Sequence, residues 1–402
     1  MLASRDLKLL LVNRLVRALG WGAASVLLAF HLEARGFTAV SIGLFLTLSL
    51  ATASLSGLLS AAAAARFSRR PVLAATGLLM AVTGLDLAFA TQPLLLTLAA
   101  LTGMCAAGSM DVGPFLSVEQ AVLAESADAS HRNRAFARYA LTGALAFSAG
   151  AALAGLVHAL PASQAFYVAY AGLGLVTAVI PLFLSPAVKG SGRGSPVFGN
   201  IRPLLLLSGL FALDSFGGGF VVPSVVVYWL HVRFGAAPEV LGPAFAVMSL
   251  LNALSYEASG RIADRIGLIN TMVLAHLPSN VMLLAVPFSP NLGVALALLL
   301  VRASIANMDA SARQAYVVSI VKPSERAGAV ALTGALRGVT LALGPVLAGA
   351  AIQTAVMAIP FLVSGSVKIV YDLSLYAGFR ARRADHEAEL FERGDRSGSK
   401  TA

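Results

Sequence analysis

Long apolar stretches follow one another from end to end of the chain, separated by short polar or basic turns. The stretches are runs of Ala, Leu and Val without two-residue alternation, which predicts helices rather than barrel strands. Each is about 20 residues long, enough to cross a hydrocarbon core of about 30 Å. The pattern predicts spans over 9–31, 40–65, 71–91, 94–122, 134–158 and 163–185, then 203–231, 238–260, 269–288, 291–319, 326–353 and 355–379. The first 30 residues imitate a signal peptide, with a basic start and an apolar stretch. The segment has a counterpart later in the chain, so it reads as a structural element. AVKGSGRGSPVFGN at 187–200 has linker chemistry. The expected organisation is a six-helix unit over 1–186, a linker over 187–202, a second six-helix unit over 203–380 and a tail over 381–402.

Composition agrees with this reading. Of 402 residues 58% are hydrophobic and 12% charged, against roughly 25% charged in soluble domains. The mean hydropathy is +0.81. With an even number of crossings both termini share a side. Twenty-one Lys and Arg then fall on the terminal side, two (Arg35 and Arg233) on the far side and six inside spans, accounting for all 29. The positive-inside rule makes the termini cytoplasmic. An integral multi-pass protein of a bacterial inner membrane is expected. The +10 net charge is therefore topology, and no nucleic-acid partner is implied. The single cysteine, Cys105, allows no intrachain disulfide and reads as a small core residue.

The halves repeat. MD at 110–111 recurs at 308–309, ALTGAL at 140–145 recurs at 331–336, and Arg35 matches Arg233. Ordered matches at offsets of 191 to 199 argue for an internal duplication. Two such halves related by an axis along the membrane normal describe a transporter architecture. GRIADRIG at 260–267 resembles motif A of the major facilitator superfamily, the G-x-x-x-D-R-x-G-R-R turn between the second and third helices of each half. A reduced copy, AAAAARFSRR, occupies 61–70. VKPSERAGAVALTGALRGVTLALGPVLAG at 321–349 is similar to that superfamily's tenth-to-eleventh loop and eleventh helix. The resemblance spans nearly the whole chain and implies an all-α fold of twelve transmembrane helices in two pseudo-symmetric bundles. It also implies a cytoplasmic gate built on Gly260, Asp264, Arg265 and Gly267, with Arg134 and Arg138 as partners of Asp264. A weaker reversed latch would join Glu325 to Arg66 or Arg69. The plainer reading is that these charges only fix topology.

Charges within the spans are the candidate chemistry, since each costs about 2.5–3.5 kcal/mol at mid-membrane by insertion scales. They are Arg14, Arg17, Arg302, Arg313, Arg337 and Lys368 against Asp86, Asp111, Glu119, Asp214, Asp309 and Asp372. Eight of the twelve lie on spans 1, 4, 7 and 10, which the resemblance makes cavity-lining. On a continuous helix Arg302, Asp309 and Arg313 fall within about 40°. Asp309 with Arg313, and Lys368 with Asp372, are i, i+4 pairs that can neutralise each other. Asp214 is the expected partner of Arg302, and Arg14 or Arg17 of Asp111. DSFGGGFVVP at 214–223 weakens span 7, and Gly217 and Gly218 there mirror GWG at 20–22. Paired interruptions of this kind point to a binding site, and close packing through small residues is the alternative. Trp21 could stack on substrate or serve the core. His31 and His231 stand at far helix ends and could sense pH, or be inert.

No phosphate loop, zinc motif or nucleophile elbow occurs, so no enzyme activity, cofactor or metal is expected. The leading reading is a secondary transporter, a monomer in the lipid bilayer. It would move a small organic solute by alternating access, by proton-coupled efflux, with protons carried on Asp214, Asp111 or Asp309. Uptake or facilitated diffusion of an organic anion is the alternative, given Arg302 and Arg337. A non-transporting sensor or assembly protein on a transporter fold is the alternative of another class.

Overall fold

The computed structural model describes residues 4–105, 113–126, 129–157, 160–185, 202–309, 313, 316–317 and 326–379. Among these residues there is no strand. The helices are α1 (Ser4–Ala34), α2 (Ala39–Arg66), α3 (Arg69–Phe89), α4 (Pro93–Leu101), α5 (Pro114–Ser126), α6 (Ala129–Ala154) and α7 (Leu160–Val179). The second half contributes α8 (Arg202–Gly219), α9 (Pro223–Phe234), α10 (Pro238–Ile266), α11 (Leu268–Ala285), α12 (Leu292–Ala303), α13 (Arg326–Gln353) and α14 (Ile359–Phe379). These make up the twelve spans: α4 and α5 belong to the fourth, α8 and α9 to the seventh, and α12 opens the tenth. Large apolar side chains such as Leu59, Leu85, Leu206 and Leu274 stand exposed on the helix exteriors, as a lipid-facing surface requires. Local signals fix the ends. Thr38 caps α2 by accepting from Ser41 N at 3.3 Å, and Asn291 caps α12 by accepting from Val294 N at 3.0 Å. The Arg35 guanidinium donates to the Ala88 and Ala90 carbonyls, answering orphan acceptors at the end of α3.

Glycines set how closely the helices cross. Within the first half α1 meets α6, where a Cβ on Gly22 would overlap the Phe147 carbonyl and one on Gly150 the Leu19 carbonyl. Within the second half α8 meets α13, where Gly219 and Gly344 lie backbone to backbone. Gly22 with Gly219, and Gly150 with Gly344, are equivalents under the duplication. The same logic joins the halves. A Cβ on Gly349 of α13 would stand 3.2 Å from the Gly43 Cα of α2, and one on Gly242 of α10 would stand 2.6 Å from the Gly155 nitrogen beyond α6. These two seams lie at the end of the bundle away from the termini. Polar contacts between the halves gather there too. Ser148 Oγ donates to the Ala246 carbonyl at 2.7 Å, Ser224 Oγ to the Ser25 carbonyl at 2.9 Å, and Tyr228 OH to Glu33 at 3.3 Å, with His231 Nε2 3.2 Å from Glu33. In the seventh span the far part, α9, packs on α1, whereas the terminal part, α8, packs on α13 and α14 of its own half.

Two expected spans are not continuous. The fourth leaves the helix at Thr102, with Gly103 at φ +69° pressed against the α2 backbone at Ala53. Side chains satisfy the freed backbone there: Thr52 donates to the Ala100 carbonyl at 2.8 Å and Met104 N donates to Thr102 Oγ1 at 3.1 Å. The tenth leaves the helix over Ser304–Asn307, so the stripe of Arg302, Asp309 and Arg313 is not laid out on one straight helix. The seventh stops at Gly219 and restarts at Pro223, at the interruption the glycines and proline prescribe.

The motif turn explains its own unequal copies. Gly267 precedes α11 at φ +86°, a conformation glycine adopts without cost. Its counterpart Ser68 precedes α3 at φ +145°, where a Cβ is strained. Ser68→Gly should therefore raise stability by about 0.5–1 kcal/mol, read as a higher melting temperature of the purified protein. Gly22→Val should lower it by about 1–3 kcal/mol through overpacking against α6.

Candidate functional site

Each half carries a buried ion network at its heart. In the first half Arg17 of α1 grips Glu119 of α5 with two parallel bonds, Nη1 to Oε1 at 3.0 Å and Nη2 to Oε2 at 2.7 Å. Asn13 donates to the same carboxylate at 2.8 Å, and Tyr139 of α6 donates its hydroxyl as well. The guanidinium sits over the Phe115 ring, 4.1 Å from its centroid. Both charged side chains are sealed from solvent. Arg14 lies over the Tyr139 ring at 4.8 Å, in room left by Gly143. The expected pairing of Arg14 or Arg17 with Asp111 is corrected for Arg17, whose fork is taken by Glu119. Asp111 lies outside the described residues. Trp21 is buried under Arg17 and edge-on to Phe115, which makes it a packing aromatic and not an open stacking surface.

The second network is larger and spans four helices. Asp214 of α8 accepts from Lys368 Nζ of α14 at 2.6 Å and from Arg313 at 3.1 Å. Arg313 also bridges Asp309 at 3.1 Å. His276 of α11 bonds Asp372 through Nδ1 at 2.8 Å and turns Nε2 towards Asp214 at 3.7 Å. Asn280 completes the Asp372 shell at 2.9 Å. Two expectations are corrected here. Lys368 does not neutralise Asp372 along its own helix but crosses to Asp214. Arg302 is not ion-paired to Asp214, whose oxygens are held by Lys368 and Arg313. Lys368 runs close along Gly217, where a Cβ would stand 3.2 Å from its Cγ. Arg337 of α13 donates to Ser215 Oγ, next to Asp214, at 3.0 Å.

Arg302 falls on the buried side of α12 with Ala295, Leu299 and Ala303, away from exposed Val294 and Val301. It is partly exposed, its Nε has no partner, and it lies within electrostatic reach of Asp214 and Asp309. The gating residues are spread along the terminal side. Arg66, Arg138 and Arg265 are exposed and Arg69 is buried at the head of α3. The side chain of Asp264, that of Arg134 and the surroundings of Gly260 lie outside the described residues, as does Glu325 altogether. His31, expected at a helix end, is buried between Ser163 Oγ and the Leu87 carbonyl.

A family model of the Major Facilitator Superfamily matches residues 10–213 and 204–400. The chain belongs to the major facilitator superfamily. A superfamily member thus carries both networks, and its relatives agree on the fold. An uncharacterised membrane protein of Saccharomyces cerevisiae, YJR124C, is 26% identical, with 94% of each chain covered. Among solved structures, the nucleoside transporter NupG superposes with a TM-score of 0.72 at 16% identity, over 92% of this chain and 98% of that one. A bacterial homologue of the human lysosomal transporter Spinster, in an inward-facing and unoccupied conformation, gives 0.70 at 13% over 93% and 98%. The human organic anion transporter MFSD10 gives 0.66 at 17% over 92% and 99%. This superfamily member is a multi-pass membrane protein with the transporter fold.

His276, Asn280 and the role of Glu119 escaped the sequence reading. The first two stand at i and i+4 in α11, a spacing that signals one shared polar face. Glu119→Gln should leave Arg17 buried without a counter-charge and lower stability by about 3–5 kcal/mol. Arg17→Met with Glu119→Leu, which removes both charges, should recover much of that loss. Thermal melts of the single and double variants check both outcomes.

Proposed function

We propose that this superfamily member is a secondary transporter that moves a small organic solute by alternating access, by proton-coupled efflux. The observation that carries the reading is Asp214: one buried carboxylate, on an interrupted helix, shared by Lys368 and Arg313 and faced by His276. Ions this costly to bury are functional candidates. A proton arriving at Asp214, directly or from His276 Nε2, would remove the charge that holds Lys368 and Arg313. Those cations belong to α14 and the tenth span, so their release loosens the packing around α8. Asp309 and, from its place in the repeat, Asp111 are the further proton carriers in this reading.

The seams between the halves support the rocking motion. Glycine crossings and interhalf hydrogen bonds gather at the far end, and α8 packs within its own half at the terminal end. With 21 of the loop cations on the terminal side, that side is taken as cytoplasmic, and the conformation as open inward. In the opposite state Asp264 would close the terminal end against Arg134 and Arg138. The fold neighbours, a nucleoside transporter and an organic anion transporter, support a small organic solute. GPVLAG on α13 resembles half of the superfamily's antiporter motif, but that motif belongs on the fifth span, where GAALAG at 150–155 lacks the proline.

The test is flux in proteoliposomes loaded with a pH-sensitive dye, over a panel of organic anions, organic cations, sugars and nucleosides. At least one solute should change lumenal pH as it moves, and Asp214→Asn should abolish that coupled signal. Absence of flux for the whole panel, with retained capture of a protein partner, would replace this reading with the sensor.

A further inference from the structure

We infer that Arg302 is the anchor for an oxyanion on the transported solute, which makes the substrate an organic anion. The carboxylates of the second network are all committed: Asp214 to Lys368 and Arg313, Asp309 to Arg313, and Asp372 to His276 and Asn280. The cations around them are Arg302, Arg313, Arg337 and Lys368. Lys368 and Arg313 are held by those carboxylates, and Arg337 bonds Ser215.

Arg302 stands apart from them. Among the described residues no acceptor reaches it, and its Nε is buried without a partner. Asp214 and Asp309 attract it from a distance without pairing to it. A guanidinium in an apolar span stays charged and retains its hydrogen-bond donors. It therefore has donors to offer to an acceptor that the solute brings. The planar fork of an arginine suits two oxygens of one carboxylate or phosphate. Arg337, oriented by Ser215 beside Asp214, adds a second cation in the same region. Partly buried Phe216 and Leu341, on the helices that carry Ser215 and Arg337, offer apolar surface to the body of the solute.

The oxyanion site depends on the transport reading only for the steps after binding, so an equilibrium measurement separates the two. The purified full chain in chloride-free buffer is melted with benzoate, phenyl phosphate, benzylamine and benzyl alcohol, which share one ring and differ in charge. Benzoate or phenyl phosphate should raise the melting temperature, and the choice between them tells carboxylate from phosphate. Benzylamine and benzyl alcohol should not. Arg302→Gln should raise the half-saturating anion concentration by on the order of tenfold to a hundredfold, with Arg302→Lys in between. Without ligand, Arg302→Gln should melt no lower than the parent, because no internal partner is orphaned. The inference is overturned if neither anion stabilises the parent, if the amine or alcohol does so equally, or if the anion response survives in Arg302→Gln. A lower melting temperature of unliganded Arg302→Gln overturns it too, by exposing an internal counter-ion. Anion binding without flux would sink the transport reading and leave the oxyanion site standing.

Discussion

Neutralising charge where water is absent is the constraint on which the interior of this protein is organised. A buried ion survives only when a counter-ion and further hydrogen-bond partners sit in good geometry. The Arg17–Glu119 fork meets that demand for the carboxylate, whose remaining sites Asn13 and Tyr139 fill, while Arg17 Nε is left without a partner. The Asp214 cluster meets it by sharing: two cations divide one carboxylate, and a histidine links that carboxylate to the next. Sharing leaves alternatives open to the same groups, whereas the fork leaves none. The helices around each network are held by these ions as much as by apolar packing, because lipid outside gives apolar side chains little reason to turn inward.

Close helix crossings are the second support. Backbone touches backbone at Gly22 and Gly150, and again at Gly219 and Gly344, so each half has one rigid crossing at the same place. Matching glycines close the far-end seams between halves. Small residues serve both because dispersion contact, not water, drives association here. Seams built in this way are narrow and smooth, and can separate without uncovering large apolar knobs.

Twelve spans, the two-half organisation and the site of the break in the seventh span were legible in the sequence, since apolar run length and Gly-Gly-Gly…Pro spacing report directly on helix length and helix failure. The broken fourth and tenth spans were not. Gly103 looks like any small residue in an apolar run until α2 is laid beside it, and the turn at Ser304–Asn307 carries no proline. Ion pairing was legible where it runs along one helix, as for Asp309 and Arg313. It was misread where it runs between helices: Lys368 reaches past its own Asp372 to Asp214 on α8, a fact of tertiary geometry. His276 and Asn280 drew no notice, because their shared face acquires its meaning from Asp372 opposite.

The duplication places Arg17 and Asp214 at equivalent points, 197 residues apart, and gives them opposite sign. Descent from one ancestral half has thus ended in electrical complements rather than copies. A molecule built from interchangeable halves could present the same chemistry to either side of the membrane. In this one the central carboxylate of the first half is held by a single bidentate fork, and that of the second half is shared by two cations. The pseudo-symmetry of the backbone thus conceals two electrostatically different halves.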